Sequence, residues 1–113
     1  MASGEVTNIL NMARERIIPF ENWCLGPDTW TLGAINGNSE PVEADSPDAV
    51  RWCAIGSMGS FVKKGTPLYE DCMRYLWLGT KECHEMTNLH QESHEMVLSV
   101  YDRAIRMATK ANA

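Results

Sequence analysis

Two dipeptides in the middle of the chain, Ser46-Pro47 and Thr66-Pro67, each carry the signal for the start of an α-helix. A hydroxyl side chain can cap the free N–H groups of a first turn, and proline suits the first helical position. The first pair predicts a helix that runs to about residue 61 or 62, before a basic stretch that ends in glycine. The second pair predicts a helix that runs to about Cys83.

The two ends of the chain predict further helices. From Glu5 to about Ile18, apolar residues recur at the spacing of one helical face, with Ser3 as the N-cap and Pro19 as the end. A last helix is expected to begin at Asn88, which forms a pattern like a capping box with Gln91. The positions that the last helix should bury are Val97, Val100, Tyr101, Ala104, Ile105 and Ala108, and Asp102 is spaced to pair with Arg106.

The segment from Trp30 to Val42 has β character. Asn36-Gly37 favours a tight turn with positive φ, and the residues after it are polar. We therefore expect one short β-hairpin or polar loop over residues 30–42. The sequence as a whole predicts a mainly α fold of about four helices in one compact domain over residues 1–113, with residues 1–4 disordered.

The charge of the chain is unevenly distributed. Residues 1–62 hold eight acids and three bases, which accounts for the whole net charge of −5. An acidic surface repels phosphate groups, so direct binding of nucleic acid is disfavoured. The chain has no apolar run long enough to span a bilayer and no apolar signal segment, so a cytoplasmic protein is expected. Its four cysteines form no CxxC pair and are expected to be reduced.

The residues that best fit a binding role form an acidic group with aromatic neighbours. Four acids lie close together in sequence, and Arg51, Trp52 and Trp77 fall outside the main apolar faces of their predicted helices. The predicted contact residues are Glu40, Glu43, Asp45, Asp48, Arg51, Trp52 and Trp77. Tryptophan with polar neighbours is common at protein interfaces. The sequence thus favours an accessory protein that binds another protein, one with a basic surface, and a homo-oligomer is also compatible with it.

A second interpretation is a small metal-dependent or acid–base hydrolase. His90 and His94 are spaced to share one helical face, with His84 and Cys83 nearby. The segment HQESH is not the HExxH motif of zinc proteases, because its glutamate is one position late. This pattern alone predicts no catalytic residue, no metal and no cofactor. Whether the protein is an enzyme stays open.

Small residues dominate one face of the helix predicted after Ser46-Pro47. That face holds Ala49, Cys53, Gly56, Ser57 and Ser60. Each glycine inside a helix costs about 1 kcal/mol relative to alanine. Close approach of another helix or a tryptophan ring would offset this cost. We therefore interpret Cys53, two turns into the helix, as a packing thiol and not as a nucleophile.

Three blocks of the chain resemble one family of small proteins. They are Trp23-Cys24-Leu25-Gly26, the segment from Asp45 to Ser57, and the stretch from Asn88 to Ile105 with its Asp102-Arg103-Ala104-Ile105. The family comprises bacterial and bacteriophage proteins that are catalogued as a domain of unknown function. The resemblance implies a helical, single-domain protein of bacterial or phage origin, for which inhibition of a host protein is a natural role. It implies no activity and no functional residue.

Overall fold

The computed structural model describes residues 4–25, 32–83, 89 and 92–113, and it has the mainly α fold predicted from the sequence. The helices are α1 (Glu5–Ile17), α2 (Ala54–Gly59), α3 (Pro67–Lys81) and α4 (His94–Lys110), and a 3-10 turn covers Phe20–Asn22. The strands are β1 (Gly33–Ile35), β2 (Pro41–Glu43) and β3 (Arg51–Trp52). None of the described helices is long and apolar enough to cross a lipid bilayer.

Helix α1 forms where its periodicity predicts it. It buries Val6, Ile9, Leu10, Ala13 and Ile17. It ends before Pro19, which lacks the N–H group that a further turn would need. Its N-cap is Gly4, at φ +91°, and not Ser3 as predicted. A glycine adopts this left-handed conformation without strain.

The predicted hairpin is part of a three-stranded antiparallel sheet. Strand β1 lies at the centre, with Ala34 opposite Val42 of β2 on one side and opposite Trp52 of β3 on the other. The turn runs from Asn36 to Ser39, and its positive φ of 62° is at Ser39, so the prediction of positive φ at Asn36-Gly37 is wrong. Trp30, the predicted start of the hairpin, is outside the described residues.

Both outer strands of the sheet have features that limit further pairing. Trp23 forms a parallel bridge with Trp52, and the Cys24 N–H donates to the Trp52 carbonyl at 3.1 Å. The segment after α1 therefore covers β3. Strand β2 begins with Pro41, which has no backbone N–H to offer a further strand.

The helix predicted from Ser46-Pro47 begins seven residues later than expected, at Ala54 instead of Pro47. Residues 46–49 form a turn instead, and the N–H groups of Val50 and Cys53 donate to the carbonyls of Ile35 and Gly33. Pairing with β1 thus overrides the local helix signal. Helix α2 starts at Ala54 with Cys53 as its N-cap and ends at Gly59, so Cys53 is not two turns inside a helix.

Helices α3 and α4 form the largest contact between helices in the fold. Helix α3 begins as predicted, because the Thr66 hydroxyl accepts a hydrogen bond from the Tyr69 N–H at 3.2 Å. Gly79 lets α4 approach closely, since a Cβ atom there would lie 2.8 Å from the Val100 carbonyl oxygen.

Helix α4 starts later than its predicted capping box. Ser93 caps it, and its side chain accepts from the Met96 N–H, so the predicted start at Asn88 is wrong. Ser93 itself is extended, whereas Asn88 and Gln91 are outside the described residues. The helix buries five of the six predicted positions, namely Val97, Val100, Tyr101, Ala104 and Ala108, while Ile105 is half-buried.

The core lies between these helices and the sheet. The hydroxyl of Tyr101, which is fully buried, donates to the Ala54 carbonyl and so ties α4 to the first turn of α2. Cys53, Cys72 and Cys83 are buried and Cys24 is half-buried, and none of the four forms a disulfide.

Candidate functional site

The four predicted acids lie along one segment of the chain, from the turn before β2 to the connection between β2 and β3. Glu40 ends the turn after β1, Glu43 ends β2, and Asp45 and Asp48 lie in the connection to β3; all four are exposed. The ion pairs formed within the described residues are Arg14–Asp102 and Arg74–Asp71, so none of these four carboxylates is neutralised by one. Their negative charge is therefore available to a partner.

An exposed apolar side chain follows these acids along the chain, on the other side of β1 from Glu40 and Glu43. Val50 is 46% exposed, two residues after Asp48, and Arg51 next to it is also exposed. The hydrogen bond from the Val50 N–H to Ile35 fixes this segment on the sheet. We call the surface formed by Glu40, Glu43, Asp45, Asp48, Val50 and Arg51 the acidic surface.

Trp52 has a structural role that the sequence did not suggest. It is half-buried, and its indole N–H donates to the Ala44 carbonyl at 2.9 Å. The Arg16 guanidinium lies over its ring at 4.5 Å and over the Phe61 ring at 4.3 Å, and it donates to the Ser60 hydroxyl. These contacts join α1, β3 and the end of α2. The polar edge and one face of the indole are therefore already engaged within the chain.

Trp77 is exposed, as predicted, but it lies apart from the acidic surface. Its side chain is 56% exposed, and the Lys81 ammonium lies 4.1 Å from the ring centroid. Its position on α3 is eight residues beyond Tyr69, which is about 12 Å along the helix axis. Tyr69, in turn, lines a cleft beside Glu43 and Asp45.

A second aromatic group, which the sequence analysis missed, surrounds the end of α1. Phe20 is 63% exposed and Ile18 is 44% exposed. The Phe20 ring lies 5.7 Å from that of Trp23 and 5.4 Å from that of His94, measured between centroids. Helical periodicity could not reveal this group, because Phe20 follows Pro19 and lies outside any helix that the pattern defines.

His94 belongs to that aromatic group and not to a metal site within the described residues. Its Nε2 atom contacts the Ile17 carbonyl oxygen, and its ring packs 5.2 Å from that of Trp23. Helix α4 begins at His94, and the predicted pair of His90 and His94 is not tested because His90 is outside the described residues. Across residues 4–25, 32–83, 89 and 92–113, no three His, Cys, Asp or Glu side chains form a cluster that could hold a metal. His84 and His90 are outside these ranges, so the hydrolase interpretation stays a prediction.

A cleft of about 190 Å³ opens between the sheet, α2 and the start of α3. Glycines 33, 56 and 59 form part of its wall, and Leu32, Ile55 and Tyr69 also line it. Two bases, Lys63 and Lys64, lie at the cleft together with Glu43 and Asp45 of the acidic surface. Local sequence does not predict this cleft, because the pattern at Lys63 and Lys64 indicates only the end of a helix.

Comparison of the chain with protein-family models, with curated proteins and with solved structures found no match.

Proposed function

We propose that this is a small accessory protein that acts by binding another protein, one with a basic surface, through the acidic surface. The observation that supports it best is the exposure of four carboxylates, none of them in an ion pair within the described residues, in one segment of the chain that leads to the exposed Val50. An apolar contact surrounded by charged groups is a common arrangement at protein interfaces. Unpaired charges of one sign also speed the encounter with a partner of opposite charge.

The aromatic part of the proposal differs from the sequence prediction. Trp52 is engaged within the chain, so we assign the exposed aromatic contact to Trp77 or to Phe20 and not to Trp52. Trp77 is separated from the acidic surface along α3, so a partner that contacts both must extend across the molecule. We include a bacterial cytoplasmic setting, phage origin and inhibition of a host protein in the proposal, on the resemblance described above.

The proposal is tested by neutralising the acidic surface. We expect the combined variant Glu40→Gln, Glu43→Gln, Asp45→Asn, Asp48→Asn to lose a partner that the unmodified protein retains in a pull-down from bacterial lysate. Mass spectrometry identifies the partner, and binding of the purified pair should weaken as salt concentration rises.

A matched control separates the surface from the overall charge. Glu15, Glu70, Glu82 and Glu95 are exposed and lie on the helices or at their ends. Neutralising these four changes the net charge by the same amount and should leave binding intact. Equal loss in both variants, or retention of the partner by the first variant, would contradict the proposal.

A further inference from the structure

The cleft beside α2 has the size of a site for a small molecule. The backbone of Gly33, Gly56 and Gly59 forms part of its wall, and Leu32 and Ile55 provide apolar walls. Its volume of about 190 Å³ equals the liquid volume of roughly six water molecules. It can therefore admit a ligand of amino-acid size, but not a folded segment of another chain.

Opposite charges line the cleft without neutralising each other. Glu43 lies at the end of β2 and Asp45 two residues after it, whereas Lys63 and Lys64 precede α3. All four side chains are exposed, and none takes part in an ion pair formed within the described part of the chain. A ligand that carries one positive and one negative group can interact with both pairs at once.

Tyr69 adds a hydrogen-bond donor to the basic side of the cleft. Its side chain is more than nine-tenths buried, yet its hydroxyl forms no hydrogen bond with any residue that the structure describes. Tyr69 lines the cleft together with Lys63 and Lys64. Burial, and then the charge of Glu70, raises the pKa of Tyr69, which keeps the hydroxyl protonated at neutral pH. A bound acceptor in the cleft would give this hydroxyl a hydrogen-bond partner.

We propose that the cleft binds a small zwitterion of amino-acid size. Its carboxylate accepts a hydrogen bond from the Tyr69 hydroxyl and faces Lys63 and Lys64. Its ammonium group faces Glu43 and Asp45, and a short apolar side chain contacts the walls of the cleft. This site goes beyond the proposed protein interface, although the two share Glu43 and Asp45.

The test is a titration of the full chain, followed by the backbone amide signals in a two-dimensional NMR spectrum. L-alanine should shift the amide signals of Gly33, Gly56 and Gly59 in a saturable manner at millimolar concentrations. Propionate lacks the ammonium group and ethylamine lacks the carboxylate, so each should bind at least about ten-fold more weakly. Absence of saturable shifts with L-alanine, or equal binding of either analogue, would overturn the proposal.

Two variants assign the binding to the named groups. Tyr69→Phe removes one oxygen atom and should weaken L-alanine binding about ten-fold, since a hydrogen bond to a charged group is lost. Tyr75→Phe, on the same helix but away from the cleft lining, is the matched control and should bind normally. If Tyr69→Phe proves unstable, the double variant Lys63→Met, Lys64→Met tests the same contact with the ligand carboxylate. Both lysines are exposed, and their replacement should weaken L-alanine binding. Unchanged affinity in the lysine variant would overturn the assignment, as would unchanged affinity in a folded Tyr69→Phe.

Discussion

The backbone of Gly33 occupies the space into which a side chain on Gly56 would project, so strand β1 and helix α2 meet without any side chain between them. The approach is mutual, because a Cβ atom on Gly33 would lie 2.9 Å from the Gly56 Cα atom. The close neighbour predicted for the small-residue helix is therefore a strand, and not a helix or a tryptophan ring. This contact sets the position of α2 against the sheet and forms the wall of the cleft.

Gly56→Ala should destabilise the protein even though alanine favours helix formation. The added methyl group forces β1 and α2 apart, and overpacking of this kind typically costs about 1–3 kcal/mol. Gly59→Ala, in the same helix, is the control, because a Cβ atom there has its nearest neighbours at 3.8 and 3.9 Å. Urea denaturation should show a loss for Gly56→Ala and no loss for Gly59→Ala. Equal stability of the two variants would show that the close contact is not a constraint.

Cys53→Ser should leave the fold intact, whereas Cys53→Ala should weaken it. The Cys53 sulfur accepts a hydrogen bond from the Gly56 N–H at 3.3 Å and thus caps α2. Serine keeps an acceptor at this position, but loss of a cap typically costs about 1 kcal/mol. The free energy of unfolding of the three proteins tests this order. An alanine variant more stable than the serine variant would mean that apolar packing, and not the cap, governs the site.

Stability should decrease as the pH rises above about 9. Burial, and then the charge of Asp71, raises the pKa of Cys72 from 9.0 to about 12, and burial also raises the pKa of Tyr101 above 10.0. At a pH between the unfolded and folded pKa values of such a group, the group is deprotonated in the unfolded chain but still protonated in the folded chain. A rise in pH therefore favours unfolding. Each such group lowers the free energy of unfolding by up to about 1.4 kcal/mol per pH unit.

A variant can test whether the Cys72 thiol causes the loss of stability at alkaline pH. Cys72→Ala removes a titrating group, so its unfolding free energy should depend less steeply on pH between pH 9 and pH 10 than that of the unmodified protein. Cys24→Ala, at a half-buried cysteine, provides a comparison with another thiol removed. Denaturant unfolding across this pH range gives both slopes. An identical slope in Cys72→Ala would mean that its thiol does not stay protonated in the fold.

Asp102 should be coupled to Arg14 and not to Arg106, its partner in the sequence prediction. The Arg14 Nε atom lies 2.7 Å from an Asp102 carboxylate oxygen, which links α1 to α4. The carboxylate is more than half exposed, so a double-mutant cycle should give a coupling of roughly 0.2–1 kcal/mol. The same cycle with Arg106 should give a value near zero. The reverse result would favour the pairing within the helix.

The two central helix starts show what local sequence can and cannot predict. At Thr66-Pro67 the cap forms because no strand competes for the backbone of that segment. At Ser46-Pro47 an equally good local signal fails, because Val50 and Cys53 donate their N–H groups to β1, a segment distant in sequence. A single sequence does not report this pairing.

The candidate site likewise has features that local sequence predicts and features that depend on contacts between distant segments. Exposure of the acids could be predicted, since charged residues in a polar segment face water. The role of Trp52 could not, because its contacts with Arg16 and Ala44 join separate elements of the chain. Tyr69 has the helical spacing of a core residue, and only the arrangement of β1 and α2 opens a cleft beside it.

The covering of β3 by Trp23 and Cys24, together with Pro41 on β2, has a consequence for how this protein behaves at high concentration. Exposed strand edges are templates on which chains add to one another and begin to aggregate. Here one edge is covered by the chain itself, and the other carries a proline between acidic residues. Within the described residues, both edges of the sheet are therefore poor templates for edge-to-edge growth, which favours solubility of the sheet at high concentration.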